Sequence, residues 1–254
     1  MTLTPQAGAR CGLYLVSAGI GDPDSITVKA QKTLRGADIV FGIPRLLEAF
    51  ADLLDGKEQH KAGHGLFSPL ARRDTPEDEV DAMEKQTRDI IHAAAAAGKT
   101  VAVLDYGDAM IFGPQSGYLS EFCALNPVVI PGISCFNAAN AALARDVTGG
   151  KHSRSVILAA SADTRDDYTG SDTLDKLAAT GSTLVFFTMR ADLPSLVERL
   201  ARHLPGSTPL AIVAHAGADA KQAVLRATLD TVLARTEHEK PPFEHLVYVG
   251  DFLG

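Results

Sequence analysis

Three short glycine-containing turns carry the residues whose types and spacing favour ligand chemistry. They are "GIGDPD" at 19–24, "DYGDAMIFG" at 105–113 and "IPGIS" at 130–134, and an apolar run leads into each of them. A simple turn needs one glycine, whereas the middle segment holds two glycines, the carboxylate of Asp108 and an apolar cluster. This combination predicts a loop whose backbone lies against a flat ligand while Asp108 faces a cationic or hydroxylated group.

The first turn, at 19–24, stands where a dinucleotide-binding fingerprint would stand, after a strand and before a helix. The third glycine of that fingerprint is replaced by Asp24, and Asp22 is a second acid in the same turn. Phosphates bind to bare backbone N–H groups at a helix N-terminus, where two carboxylates would repel them. The sequence also lacks a GxxxxGK[ST] loop. A phosphate-bearing ligand is therefore disfavoured.

Each turn also has a purely structural interpretation, which the sequence leaves open. Asp22 can cap a helix, and Ser134 can cap the helix that starts at Cys135. Met110, Ile111 and Phe112 can be ordinary core residues.

Other kinds of catalytic site have no support in the sequence. The eight histidines do not form an HExxH motif, and Cys11, Cys123 and Cys135 stand at unrelated spacings. A GxSxG nucleophile motif is also missing. We therefore expect no metal site and no catalytic triad.

Composition and charge set the broad class of the protein. The 254 residues are 46% hydrophobic and carry a formal net charge of −7 without a Lys/Arg-rich block, which disfavours nucleic acid as a partner. The N-terminal segment lacks a signal-peptide pattern and no apolar run reaches the length of a membrane span. We expect a cytoplasmic protein without a membrane partner.

Apolar runs alternate with helical patterns along the chain, and this alternation predicts α/β architecture with mostly parallel or mixed sheets. Strands are predicted at 11–19, 38–42 and 99–108, helices at 26–37, 44–54 and 75–98, and a polar loop at 56–75. Residues 113–125 are predicted to form a helix, and "NPVVIPGIS" to begin a new strand. We place a domain boundary in this region, which gives two α/β domains, 1–118 and 119–254, with a ligand cleft between them.

Taken in order, the motifs resemble those of the tetrapyrrole methylase family, the class III S-adenosylmethionine-dependent methyltransferases. The family's opening pattern G-x-G-P-G-D-P-x-x-[LI]-T-x-[KR]-A is similar to "SAGIGDPDSITVKA", G-D-P-x-[IF]-[YF]-G to "GDAMIFG", and [IV]-P-G-[IV]-[ST]-[SA] to "IPGISC". The later segments "TLVFFTM", "TPLAIVAHAGADAKQAVLRATL" and "LVYVGDFL" extend the resemblance over nearly the whole chain.

The resemblance implies that two α/β domains bind S-adenosylmethionine, with S-adenosylhomocysteine as product, usually in a homodimer. It assigns cofactor binding to Ile20, Gly107, Asp108, Ala109, Ile111, Phe112, Ser134, Cys135, Thr188, Met189, Ala216 and Gly217. A tetrapyrrole substrate bears many carboxylates, so the candidate anchors are Lys29, Arg45 and Arg190, with Arg72 and Arg73 as further candidates.

Methyl transfer needs positioning and exclusion of water rather than a protein nucleophile. If a ring carbon accepts the methyl group, a base must remove a proton afterwards, and we expect Asp22 or Tyr106 to assist. Among the departures from the family pattern, Ile20 and Ala109 replace prolines, and Tyr106 replaces a small residue.

The resemblance favours methylation of a precorrin or cobalt-precorrin in cobalamin biosynthesis. "LVYVGDFL" points to C-11 of the ring and "ADIVFGIPRLLEAF" to C-5 and C-15, so the ring position stays open. Uroporphyrinogen, a diphthamide precursor and a peptide backbone are alternative acceptors. A protein that binds S-adenosylmethionine without catalysis is an alternative of a different class, motivated by Ile20 and Ala109.

Overall fold

The computed structural model describes residues 12–160, 167–187, 192–218 and 220–254. They form two compact α/β units, Met1–Ser134 and Cys135–Gly254, and the predicted fold class is confirmed. The boundary follows Ser134 rather than residue 118, because strand β5 (Val128–Ile130) pairs with strand β1 (Leu13–Ser17) of the first unit.

The first unit contains a five-stranded sheet in which every neighbouring pair of strands is parallel. Its other strands are β2 (Ile39–Gly42), β3 (Glu58–Lys61) and β4 (Val101–Asp105), and the order is β3-β2-β4-β1-β5. Every residue of β2 and β4 is buried, which explains why they read as continuous apolar runs.

Helices cover both faces of this sheet. They are α1 (Val28–Gly36), α2 (Pro44–Ala49), α3 (Ala51–Leu54), α4 (Glu77–Ala96) and α5 (Gly117–Glu121). Residues of α4 and α5 pack with Leu15 and Val103 on one face, and residues of α1 to α3 pack with Val16 and Leu104 on the other. Alternate residues of a strand therefore enter opposite cores.

Three elements of the first unit differ from the sequence prediction, and one of them is the helix predicted over 44–54, which is divided into α2 and α3. Residues 58–61, predicted to lie in a loop, form the edge strand β3, whose sequence "EQHK" carries no apolar alternation because an edge strand is largely solvated. The helix predicted over 113–125 is limited to α5, with 3₁₀ turns at Pro114–Ser116 and Cys123–Leu125.

The second unit contains a mixed sheet. Its strands are β6 (Val156–Ala160), β7 (Thr183–Phe187), β8 (Pro209–Ala214), β9 (Ala223–Thr228) and β10 (His245–Val249), in the order β6-β7-β10-β8-β9. Its helices are α6 (Cys135–Leu143), α7 (Leu174–Ala179), α8 (Leu193–Ala201) and α9 (Val232–Thr236). Among the described strands of this unit, β6 pairs with β7 in parallel, and the other neighbouring pairs are antiparallel.

Within the described ranges, no helix is both long enough and apolar enough to cross a membrane.

Candidate functional site

The three predicted turns follow three adjacent parallel strands of the first unit. Strand β1 has β4 on one side and β5 on the other, with Ser17 opposite Asp105 and Val16 opposite Ile130. The carboxyl ends of parallel strands lie at one edge of a sheet, where open α/β sheets bind their ligands. We call this edge, with the segments 18–27, 43–47, 106–113 and 131–134, the carboxyl edge.

Backbone hydrogen bonds join the first two turns. The N–H of Gly19 donates to the carbonyl oxygen of Gly107 at 3.1 Å, and the N–H of Gly107 donates to the carbonyl oxygen of Gly19 at 2.6 Å. Gly107 has a φ of +73°, in the left-handed region that favours glycine. The reciprocal pair fixes the two turns against each other.

The third turn meets the first two at Gly132. A Cβ atom at Gly132 would lie 2.6 Å from Cβ of Ser17 and 3.1 Å from the carbonyl oxygen of Gly107. The hydroxyl of Thr27 also donates to the carbonyl oxygen of Pro131 at 3.4 Å. The three glycine turns therefore converge, and only a residue without a side chain fits at their meeting point.

Asp105 closes the middle turn from inside the protein. Its Oδ1 accepts from the N–H of Tyr106 at 2.8 Å, and its Oδ2 accepts from the N–H of Gln115 at 3.0 Å. Burial raises the pKa of Asp105 to about 7, against the lowering effect of these two donors. One buried carboxyl thus holds both ends of the segment 106–115.

The segment 108–112 forms a tight turn. Oδ1 of Asp108 accepts from the N–H of Met110 at 2.8 Å, and the carbonyl oxygen of Asp108 accepts from the N–H of Ile111 at 3.0 Å. Phe112 lies in the left-handed region with a φ of +54°. The side chain of Asp108 therefore stabilises the loop that presents it.

Apolar side chains are exposed along the carboxyl edge. Met110 is 50% exposed, Phe112 44% and Ile133 36%, and Asp108 is half-buried beside them. Large apolar side chains that are exposed next to one another often mark a binding surface. Met110 and Phe112 are therefore not core residues, and cofactor binding by Phe112 stays a prediction.

Other residues predicted to bind the cofactor are buried at this edge. Ala109 is fully buried, and its N–H donates to Oγ of Ser17 at 3.0 Å. Ile20 and Ser134 are also buried, while Ile111 is partly exposed. Ala109, Ile20 and Ser134 therefore support the turns from inside, and their direct contact with a cofactor stays a prediction.

The two candidate acid–base residues lie at the carboxyl edge. Asp22 accepts from the N–H of Asp24 at 3.0 Å through Oδ1 and from the hydroxyl of Ser25 at 2.8 Å through Oδ2, so it caps a 3₁₀ turn. The guanidinium carbon of Arg45 lies 5.5 Å from the centroid of the Tyr106 ring. Proton transfer by Asp22 or Tyr106 stays a prediction.

The candidate anchors for the substrate have different environments. Arg45 and Lys29 are exposed, in the first turns of α2 and α1. Arg72 is exposed as well, but it is already engaged in ion pairs with Asp81 at 2.7 Å and Glu84 at 3.1 Å. Thr188, Met189 and Arg190 lie outside the described residues.

In the second unit, the predicted residues Ala216 and Gly217 follow strand β8. The N–H of Gly217 donates to Oε1 of Gln222 at 2.8 Å. Cys135 begins α6, where burial, with a smaller contribution from the Glu244 carboxylate, raises the pKa of its thiol to about 11. The thiol is therefore protonated at neutral pH, which agrees with chemistry that needs no cysteine nucleophile.

Sequence reasoning did not single out several polar residues of these regions. Ser17 and Asp105 end adjacent buried strands. The signal that could have identified them is a polar residue at the end of an apolar run. Beside Ala216, Nδ1 of His215 lies 3.3 Å from Oε2 of Glu244, and the φ of His215 is +47°. Nothing local in the sequence links His215 with Glu244, because a contact between distant residues depends on the pairing of β8 with β10.

The sequence predicts no metal site, and the relevant side chains can be located in the described part of the chain. There, no three His, Cys, Asp or Glu side chains are grouped so that they could hold a metal ion.

Comparisons with known proteins agree with this architecture. Residues 12–233 match the family model of the tetrapyrrole (corrin/porphyrin) methylases. The siroheme synthase of Nitrosospira multiformis is 33% identical over 256 residues, and that of Hahella chejuensis is 28% identical over 246 residues. Each alignment covers 94% of this chain but only 48% and 49% of those proteins, so the chain spans about half their length.

Solved structures share the fold over almost the whole chain. A cobalt-precorrin-4 methyltransferase of cobalamin biosynthesis has a TM-score of 0.76 at 22% identity, with 95% of each chain covered. A uroporphyrin-III C-methyltransferase from Thermus thermophilus has a TM-score of 0.64 at 25% identity, with 95% of this chain and 93% of that chain covered. A structure of uroporphyrin-III C-methyl transferase from Thermus thermophilus complexed with S-adenyl homocysteine has a TM-score of 0.67 at 21% identity, with 95% of this chain and 98% of that chain covered. By its family match, its fold and its converging turns, this chain belongs to the tetrapyrrole (corrin/porphyrin) methylase family.

Proposed function

We propose that this chain is an S-adenosylmethionine-dependent methyltransferase whose substrate is a tetrapyrrole. Family membership supports the class of reaction. The observation that carries the proposal is the convergence of the three glycine turns at the carboxyl edge, where Gly132 lies against Ser17 and Gly107.

The carboxyl edge fits the chemistry of this methyl donor. When bound, S-adenosylmethionine supplies a methyl group on a positively charged sulfur and carries no phosphate. The carboxylate of Asp108 gives this edge a negative charge, which attracts a sulfonium and repels phosphates. The exposed Met110, Phe112 and Ile133 offer apolar contacts that exclude water from a reacting carbon.

The proposed substrate is a precorrin or cobalt-precorrin of cobalamin biosynthesis, as the motif resemblance favours. Uroporphyrinogen is the second candidate, because solved structures of uroporphyrin-III C-methyltransferases share the fold over 95% of this chain. A homodimeric, cytoplasmic enzyme without a nucleic-acid partner is part of the same proposal.

The test is transfer of a radiolabelled methyl group from S-adenosylmethionine to a panel of precorrins and uroporphyrinogen III. Label on a precorrin alone supports the first candidate, and label on uroporphyrinogen alone supports the second. Calorimetry with S-adenosylhomocysteine is run in parallel. Binding without transfer to any acceptor would indicate a non-catalytic binding protein instead of an enzyme. Absence of binding would contradict both of these interpretations.

A further inference from the structure

Arg45 and Tyr106 come from different turns and meet at the carboxyl edge. Arg45 lies in the first turn of α2, directly after β2, and Tyr106 follows β4, the parallel neighbour of β2. The guanidinium carbon of Arg45 is 5.5 Å from the centroid of the Tyr106 ring, within the range of a cation–π contact. The order of the strands therefore creates a contact between residues that are far apart in the sequence.

The ring of Tyr106 is held in place from a second direction. A Cβ atom at Gly21 would lie 3.2 Å from Cε2 of Tyr106, so the ring rests directly on the backbone of the first turn. The N–H of Tyr106 is bound by the buried carboxyl of Asp105. The ring is thus a fixed platform for the guanidinium of Arg45.

A guanidinium can contact an aromatic ring while the N–H donors at its edge still form hydrogen bonds. Those donors match the two oxygens of a carboxylate, which arginine binds through parallel hydrogen bonds. The contact with Tyr106 also reduces the side-chain entropy that an exposed arginine loses when it binds. The pair is therefore suited to bind a carboxylate at a defined position.

The neighbouring surface indicates which carboxylate would bind. Met110, Phe112 and Ile133 expose apolar area on the same edge, from the turns that follow β4 and β5. An apolar surface with a cation at its margin complements a flat ring system that bears acidic substituents. A free small acid would not use the apolar part of this surface.

We propose that Arg45, oriented by the Tyr106 ring, binds one carboxylate substituent of the tetrapyrrole, and that Tyr106 acts as a positioning residue. The inference rests on the proposed function and deepens it. It accounts for a tyrosine where the family pattern has a small residue, and it replaces the proton-transfer role expected for Tyr106.

Steady-state methyl transfer to the accepted tetrapyrrole tests the pair in four variants. Arg45→Gln and Tyr106→Leu are expected to raise KM for the tetrapyrrole about tenfold, the scale of a lost charge-assisted hydrogen bond, with kcat within about twofold. Tyr106→Phe keeps the ring, so its KM is expected to stay near the wild-type value. Arg202→Gln, at the exposed arginine that follows α8 and pairs with Glu198, is the matched control without effect on KM.

A double-mutant cycle then measures the coupling. Once Tyr106 is leucine, replacing Arg45 by Gln should raise KM by less than about threefold more, because the orientation of the guanidinium is already lost. Thermal unfolding of each variant separates these effects from misfolding.

The outcomes distinguish this inference from the proposed function. If the wild type transfers methyl groups and Arg45→Gln leaves KM unchanged, the inference is wrong and the function stands. A loss of kcat in Tyr106→Phe equal to that in Tyr106→Leu would assign the role to the hydroxyl and overturn the positioning. A wild type that neither binds uroporphyrin III in a fluorescence titration nor methylates any tetrapyrrole would overturn both.

Discussion

At the residue scale, the carboxyl edge depends on positions that tolerate no additional atom. Gly132 has a side-chain atom of Ser17 and backbone atoms of Ser17 and Gly107 within 3.1 Å of where its Cβ would lie. Backbone cannot rotate away as the end of a flexible side chain can, so an added methyl group must separate two of the turns.

Gly132→Ala should destabilise the protein by about 1–3 kcal/mol and abolish binding of S-adenosylhomocysteine. Urea unfolding and calorimetry measure the two effects. Gly36→Ala is the control, because a Cβ at the end of α1 meets no atom within 4 Å, and its free energy of unfolding should change by less than about 0.5 kcal/mol. Unchanged ligand binding in Gly132→Ala would contradict the described packing of the turns.

The buried carboxyl of Asp105 should make the stability of the protein depend on pH. Its pKa is about 7 in the folded protein, whereas the ordinary value for this side chain is 3.8. As pH rises, the unfolded chain therefore releases this proton at a lower pH than the folded protein does. The free energy of unfolding should therefore fall between about pH 4 and pH 7, by on the order of a few kcal/mol.

Asp105→Asn should remove this part of the pH dependence, although loss of one acceptor lowers its stability at every pH. Urea unfolding at several pH values, for wild type and variant, measures the difference. Parallel curves for the two proteins would show that Asp105 does not titrate in this range.

At the element scale, helix α4 holds the segment 62–75, which follows strand β3 at the carboxyl edge. The buried carboxylate of Glu84 accepts from the N–H of Phe67 at 3.0 Å, from Arg72 at 3.1 Å and from Arg88 at 3.3 Å. The amide of Gln115 donates to the carbonyl oxygen of Gly63 at 2.9 Å and joins this segment to the middle glycine turn.

Glu84→Gln should weaken the attachment of this segment. Burial opposes ionisation of Glu84, but Arg72 and the N–H of Phe67 outweigh it and lower the pKa, so the carboxylate is charged at neutral pH. We expect a loss of about 1–3 kcal/mol in urea unfolding and faster proteolysis within 62–75. Glu79→Gln, at an exposed position of α4, is the matched control, and equal behaviour of the two variants would contradict this role.

At the scale of the whole molecule, a ligand that binds only the folded chain adds its binding energy to the stability of that chain. Unfolding is then a readout of the proposed cofactor that requires no acceptor substrate.

S-adenosylhomocysteine at 100 times its dissociation constant should stabilise the protein by about 2.7 kcal/mol, which raises the unfolding temperature by about 5–10 °C. ATP at the same concentration should give less than about 1 °C, because its phosphates would meet the carboxylates of Asp22 and Asp108. Differential scanning calorimetry measures both shifts. An equal shift with ATP would contradict the proposed discrimination against phosphates.

The sequence by itself determined the family, the α/β class and the three turns, because glycine, capping residues and apolar periodicity act locally. It did not reveal β3 or β9, because strands at the edge of a sheet are largely solvated and carry weak apolar patterns. Only the tertiary structure decided that Ser17, Asp105 and Gly132 meet, that Arg45 lies over Tyr106, and that Asp105 has a raised pKa. These properties arise from the order β3-β2-β4-β1-β5, which local chemistry does not encode, because pairing between distant strands depends on how the whole sheet packs.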